Sequence, residues 1–526
     1  MPSSQPASPR EEAIAAPPTA ERSAAPGGSE RPSRAGGWLA VLVPAAAGLA
    51  IGGYQLGSPS LWRDEGYTLA VATRPPGTIL AMLGHQDVVH GLYYLVMHVV
   101  VAVLGTSAVA LRLPSLVAAA AAAGVTGSLG RHLWAGMRQP APAAVGTLAG
   151  LLLAGLPLTT WYAQDARPYA LASICAIGAS WLLVRGTAAR GGWWWAGYAA
   201  VMALLGWLSL YALLLLPAHA ISLLLSGRFR EDRVVARRWL IAAASACVVV
   251  APLLLLGASQ AGTLAWIQSP TMSTVYGLVF DFSGAKLLTP VIAVLACLCL
   301  WRELGARRRT GWTTAAIALP WLVLPPVVLL AASLAYPTYV ERYVVFCLPA
   351  MALLAAAGLG WLWQLVSPAG APARRRILGA LLSGLILAGF TAALIGPQQT
   401  VRLTSDRPDN LRQVAAVVQA YERPGDAVVY LPWDTRVVGF AYPAPFRRLD
   451  DIGLARSPQA SDTLDGTEVR AGVLTGRIAA EPRVWTVRWT DTGTSAETAR
   501  VLSGLRLLRS WRIGSVLLGL YVPRAG

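Results

Sequence analysis

Eleven apolar runs fill this chain between Gly36 and Gly396, and most are near the roughly 20 residues that an α-helix needs to cross a bilayer. They lie near 38–57, 108–130, 141–158, 169–185, 193–205, 207–226, 239–257, 287–301, 313–335, 344–366 and 377–396. No soluble fold accommodates so many. The pattern predicts a polytopic α-helical membrane protein with about eleven transmembrane helices. Composition agrees: 55% of the residues are hydrophobic, 13% are charged, and mean hydropathy is +0.52.

The net charge of +17 invites a nucleic-acid reading, but its distribution argues against one. Before Gly36 four Arg balance four Glu, and after Gly396 there are 17 Arg against 13 acids. The membrane part holds the rest of the excess, mostly in short loops, where basic residues set orientation. The five cysteines, Cys175, Cys247, Cys297, Cys299 and Cys347, fall within apolar segments. They read as small core residues, and no disulfide framework or metal site is expected from them.

The loop arginines also decide a twelfth run, Gly91 to Gly105, which is short for a span. If it stays at the outer surface as an amphipathic helix and the N-terminus is cytoplasmic, five alternate loops face inward. Those loops carry 16 arginines: Arg131 and Arg138; Arg185 and Arg190; Arg228, Arg230, Arg233, Arg237 and Arg238; Arg302, Arg307, Arg308 and Arg309; and Arg374, Arg375 and Arg376. If the run crossed, all would face outward. His90, Tyr94 and His98, spaced by four, would share one face of that helix.

This topology gathers six acids on the outer side: Asp64, Glu65, Asp87, Asp165, Asp281 and Glu341. Arg112, Arg167, Arg342 and Lys286, the only lysine of the chain, join them there. Ionisable groups so placed are costly unless a site uses them. A transporter or lipid flippase would instead carry such groups near the bilayer midplane, on related halves with interrupted spans. The acids gather on one face here and no internal repeat is visible, so that class is the alternative. An envelope scaffold without activity is a third.

Three regions follow. Residues 1–36 are Pro, Ala, Ser and Gly with balanced charge and read as a disordered cytoplasmic tail. Residues 37–396 form the membrane domain. Residues 397–526 read as a small extracytoplasmic α/β domain: DNLRQVAAVVQAYERPGDAVVYL gives a helix, a turn and a buried strand, and RVWTVRW and the stretch from Ser510 to Val522 give further strands.

The motifs carry a resemblance. A DE pair (Asp64, Glu65) follows the first span, then D-x-x-H-x-x-Y-Y at Asp87–Tyr94, G-x-S-x-x-A-x-R-L-P-S at Gly105–Ser115, A-x-D-A-R-P-Y at Ala163–Tyr169 and E-R-Y at Glu341–Tyr343. In order and spacing, over about residues 38–366, this resembles the polyprenyl-phosphate-dependent GT-C glycosyltransferases, in particular bacterial relatives of protein O-mannosyltransferases and of the lipid A aminoarabinose transferase. Where those commonly have H-P-P-L-x-Y, this chain has His90-Gly91-Leu92-Tyr93-Tyr94.

The resemblance implies a GT-C fold in the cytoplasmic membrane and inverting transfer of a sugar, with mannose a candidate. The donor would be a polyprenyl-phosphate-linked sugar held beside membrane lipid, and the acceptor a hydroxyl of a glycan, lipid or protein at the outer face. Asp64 takes the position of the catalytic carboxylate, a base for the acceptor hydroxyl. Phosphate leaves readily, so positive charge matters more than a general acid, and Arg342, Arg167, Lys286 and Arg112 are the candidates to supply it. Glu65, Asp87, Asp165 and His90 would orient substrates. Glu65 and Asp165 are also the candidate ligands of a divalent cation. The small outer domain would help recognise the acceptor.

Overall fold

The structure, a computed structural model, describes residues 34–135, 140–189, 191–260, 262, 266–304, 311–490 and 495–524. Most of the tail assigned to residues 1–36 lies outside the described residues, as do the loop arginines Arg138, Arg190 and Arg307 to Arg309.

Every one of the eleven apolar runs is helical. Seven helices are long and apolar enough to span a bilayer: Gly36–Gly53, Ala108–Leu133, Tyr169–Ala188, Arg233–Ser259, Thr314–Ser333, Glu341–Val366 and Ala373–Thr400. Two more runs qualify only as broken pairs, Pro142–Gly155 with Pro157–Ala163, bent by 65°, and Met272–Ser283 with Leu288–Leu304, bent by 80°. The first break falls at Pro157, whose missing N–H and ring end the preceding ladder. The second follows Gly284, whose φ of +74° suits a residue without Cβ. Trp193–Leu208 and Leu210–Leu225 complete the eleven and are shorter than a straight span requires.

The membrane helices pack closely because small residues line their contacts. A Cβ on Gly127 would sit 1.9 Å from the Ala40 carbonyl oxygen, and one on Gly358 would sit 2.1 Å from that of Leu295. Gly91–Leu104 forms a short helix on the flank of the bundle. Tyr93, Tyr94 and Met97 are buried, while Val99 and Val103 are exposed, so the helix presents an uncovered apolar face.

After Thr400 the chain forms the α/β region. Helix Leu411–Tyr421 and a turn at Gly425 (φ +81°) lead into strand β1 (Ala427–Tyr430). The strands β2 (Asp450–Asp451), β3 (Leu454–Arg456), β4 (Thr467–Glu468), β5 (Val484–Trp489), β6 (Leu505–Ile513) and β7 (Val516–Pro523) follow. The main sheet has the order β2-β1-β5-β7-β6, parallel from β2 to β5 and antiparallel beyond. β3 and β4 form a separate pair. The final stretch read as strand is thus a hairpin, turning at Gly514. The chain is therefore a polytopic helical membrane protein with a C-terminal α/β domain, and that domain packs onto the loops at one end of the bundle.

Candidate active site

Helix Arg63–Ala72 carries the Asp-Glu pair in its first turn, where the macrodipole favours negative charge. Three contacts fix it. Gly66 lets it approach helix Val437–Ala441 so closely that a Cβ would meet Val437 Cγ2 at 2.7 Å. Thr68 Oγ1–H donates to the Ala166 carbonyl at 3.1 Å, and the Ala166 N–H donates to Glu65 Oε1 at 2.9 Å. The helix and the loop Gln164–Pro168 are therefore one rigid unit.

Asp64 lies at the centre of the charges. Its Oδ2 is 3.8 Å from Arg167 Nε and 4.0 Å from Arg342 Nη2, ion-pair distances that exceed a hydrogen bond. Asp64 Oδ2 and the Nε atoms of both arginines are buried without a hydrogen-bond partner. Three strong polar atoms of this charge group thus have bonding capacity in hand. Burial alone would push the Asp64 carboxyl up, but the fields of Arg167 and Arg342 outweigh it and hold the group below its ordinary value.

A relay from the next segment orients Arg167. Asp87, in left-handed backbone at φ +56°, accepts from Tyr94 Oη–H at 2.5 Å and from His90 Nδ1 at 2.5 Å. His90 Nε2 meets Arg167 Nη2 at 2.7 Å. A guanidinium only donates, so Nε2 accepts and Nδ1 carries the hydrogen. Tyr94 and His90 thus meet through Asp87, whereas His98 turns away to the Ala72 carbonyl, 2.9 Å distant. Arg342 sits among aromatic rings, with Trp266, Tyr343 and Trp62 centroids at 5.1, 5.7 and 6.0 Å.

No family model and no curated protein matches the chain. Among solved structures it is similar to ArnT from Cupriavidus metallidurans in the apo state, at 15% identity and TM-score 0.58, over 93% of this chain and 98% of that one. It is similar to the same protein bound to undecaprenyl phosphate at 14% identity and TM-score 0.59, over 91% and 97% of the two chains. The chain has the GT-C fold. These likenesses run nearly end to end, so the α/β region is part of the shared architecture.

Within this GT-C fold several sequence expectations need correction. Glu65 and Arg112 form a fully buried pair: Arg112 Nε and Nη2 reach Glu65 Oε1 and Oε2 at 2.7 Å each. The remaining Arg112 hydrogens go to the carbonyls of Leu56, Pro59 and Ser60. All five donors are engaged, so Arg112 has none left for a phosphate. Lys286 is exposed, with its ammonium 5.7 Å from the Phe280 ring centroid and no carboxylate within ion-pair distance among the described residues. It does not join the Asp64 group.

The cation proposed for Glu65 and Asp165 does not fit either. Glu65 is spent on Arg112 and Ala166. Asp165 Oδ1 accepts from Trp62 Nε1 at 2.9 Å, and burial together with the Glu65 charge pushes its carboxyl up to about 7. Glu65 therefore has little capacity left for a divalent ion, while Asp165 Oδ2 is buried without a hydrogen-bond partner. Among the described residues, no group of three or more His, Cys, Asp or Glu is arranged to hold a metal.

Sequence reasoning missed the C-terminal contribution. Arg407 is buried under the site loop, donating from Nη2 to the Gln164 carbonyl at 2.7 Å and lying 3.7 Å over the Trp161 ring. Tyr67 Oη–H donates to Asp465 at 3.0 Å, and Tyr442 Oη accepts from the Leu61 N–H at 2.9 Å. Trp62 and Tyr343 were readable, since they flank the Asp-Glu and Glu-Arg motifs. The run Trp193 to Trp195 begins a helix at the far end of Tyr169–Ala188, about 30 Å of helix from Arg167.

Proposed function

We propose that this protein is an inverting glycosyltransferase that moves a sugar from a polyprenyl-phosphate donor to an acceptor hydroxyl at the outer face of the cytoplasmic membrane. The observation that carries this reading is the placement of one carboxylate, Asp64, between Arg167 and Arg342. Asp64 takes the proton of the acceptor hydroxyl as its oxygen attacks the anomeric carbon. The bond from that carbon to the phosphate oxygen breaks on the opposite side, and the departing phosphate keeps the electron pair. Arg167 and Arg342 stabilise the charge that accumulates there. One displacement inverts the anomeric centre.

The same arrangement couples the two substrates. The arginines keep Asp64 ionised but weakly basic. A donor phosphate beside them offsets part of their field, so Asp64 becomes a better base when a donor is in place. The ArnT neighbour, crystallised with undecaprenyl phosphate, supports a lipid phosphate as the donor carrier. The α/β domain, resting against the Asp64 helix, is the surface we assign to acceptor recognition. No feature of the site favours mannose over another sugar.

Membranes from producing cells, incubated with a panel of labelled polyprenyl-phosphate sugars, test this reading. It requires that one donor be consumed and its label appear in a glycan, lipid or protein. Inserted protein that consumes none of a panel spanning hexoses and pentoses would count against it.

A further inference from the structure

A cavity of about 750 Å³ opens on the flank of the bundle, away from the Asp64 group, none of whose residues lines it. Its walls come from the first and last spans, which are the least buried of the seven at 22% and 17%, and from three inner helices. The lining is almost wholly aliphatic from Leu387 upward until it reaches Gln398, Arg402 and Tyr54 at one end. Along the helix, Leu387 to Arg402 covers about 22 Å, more than the roughly 15 Å of one hydrocarbon leaflet.

The polar end is cationic. Arg402 is 8% exposed, and its guanidinium is held only by neutral oxygens: the Ile51 and Tyr54 carbonyls, and the carbonyl and side chain of Gln398. No carboxylate lies within ion-pair distance of it among the described residues. Gln398 is itself fixed by donating to the Gly155 carbonyl at 2.8 Å, so the rim is built. A positive charge without a counter-charge, at one end of an acyl-length groove, is the complement of a lipid with an anionic phosphate. The exposed Tyr54 ring, 5.7 Å from the guanidinium, belongs at the same level.

We propose that this groove is a seat for an anionic diacyl phospholipid of the outer leaflet, with one acyl chain between the first and last spans and the phosphate at Arg402. It is separate from the donor site, whose phosphate meets Arg167 and Arg342. The lipid fills the gap beneath the 51–60 segment that leads into the Asp64 helix.

Native mass spectrometry of the detergent-purified protein, mixed with equal amounts of phosphatidylglycerol and phosphatidylcholine, tests it. The unmodified protein should retain phosphatidylglycerol about fivefold better, the preference expected from one cationic contact worth about 1 kcal/mol. Arg402→Gln should abolish the preference while keeping acyl binding. Gly155→Leu, where a Cβ meets nothing within 4 Å, should fill the groove and lower retention of both lipids. Equal retention of the two lipids by the unmodified protein overturns the proposal. So does undecaprenyl phosphate displacing phosphatidylglycerol in an Arg402-dependent way, which would make the groove a second donor seat.

Discussion

Arg63, the residue before Asp64, is locked to Asp409: its backbone N–H reaches Asp409 Oδ2 at 2.9 Å and its Nη2 reaches Oδ1 at 3.0 Å. Ser515 Oγ–H donates to the same carboxylate, and the guanidinium lies 4.1 Å over the Trp489 ring. Asp409 follows the last membrane helix, so the helix bearing Asp64 is gripped by the C-terminal domain.

Arg63→Ala should therefore lower both stability and turnover, the stability by about 1–3 kcal/mol for a charged hydrogen bond to a buried acceptor. Asp409→Ala should do the same. Measured together, the two changes should fall short of additivity by about 0.5–3 kcal/mol, since each removes the same contact. Strictly additive losses would show that the pair does not hold the helix.

Glu65 and Arg112 make a different prediction from the one their motifs imply. Removing one partner leaves the other charged and buried, so Glu65→Gln and Arg112→Met should each cost about 3–5 kcal/mol and reduce accumulated protein. The double variant should recover much of that loss. Measured by thermal unfolding in detergent, a well-folded Arg112→Met with selectively weakened donor binding would return Arg112 to the phosphate site.

Protonation of Asp165 gives a pH signature. Its folded carboxyl is raised from 3.8 to about 7, chiefly by burial, so between about pH 4 and 7 the folded protein holds a proton that the unfolded chain releases. That contribution is full below pH 4 and is lost as pH rises through about 7. Asp465 is raised to about 7 by burial as well and acts in the same sense. Unfolding temperatures should fall from pH 5 to pH 8, and Asp165→Asn should flatten part of the slope. An unchanged slope in the Asn variant would remove Asp165 from the effect.

Much of this was legible in the sequence because lipid imposes simple rules. Apolar length fixed the helices, and the one-sided acids pointed to Asp64, Asp87, Asp165 and the arginines that now surround them. Partner choice was hidden. Nothing in R-L-P-S shows that Arg112 spends every donor on Glu65 and three carbonyls, since those partners meet only when a loop folds back on its span. Lys286 was chosen because the predicted topology puts it on the outer side, which does not say whether it reaches the Asp64 group. The grip of Asp409, Arg407 and Tyr442 on the site was invisible because the contacting residues lie more than 240 positions apart and neither region shows a periodic pattern that refers to the other.

Orientation remains testable on its own. In a variant with its native cysteines replaced, Thr106→Cys and Ala335→Cys should react with an impermeant thiol reagent in intact cells. Ala135→Cys and Arg230→Cys should not. The opposite pattern would place the Asp64 group in the cytoplasm.

The most direct test of the central claim is Asp64→Asn, which keeps the shape of the side chain and removes its basicity. In protein shown to insert and accumulate normally, sugar transfer should fall by about 10² to 10⁴. Binding of the lipid donor should change little, in contrast to Arg342→Ala, which should weaken binding and turnover together because its phosphate contact exists before and during reaction. Transfer at the parental rate by inserted Asp64→Asn protein would contradict the account.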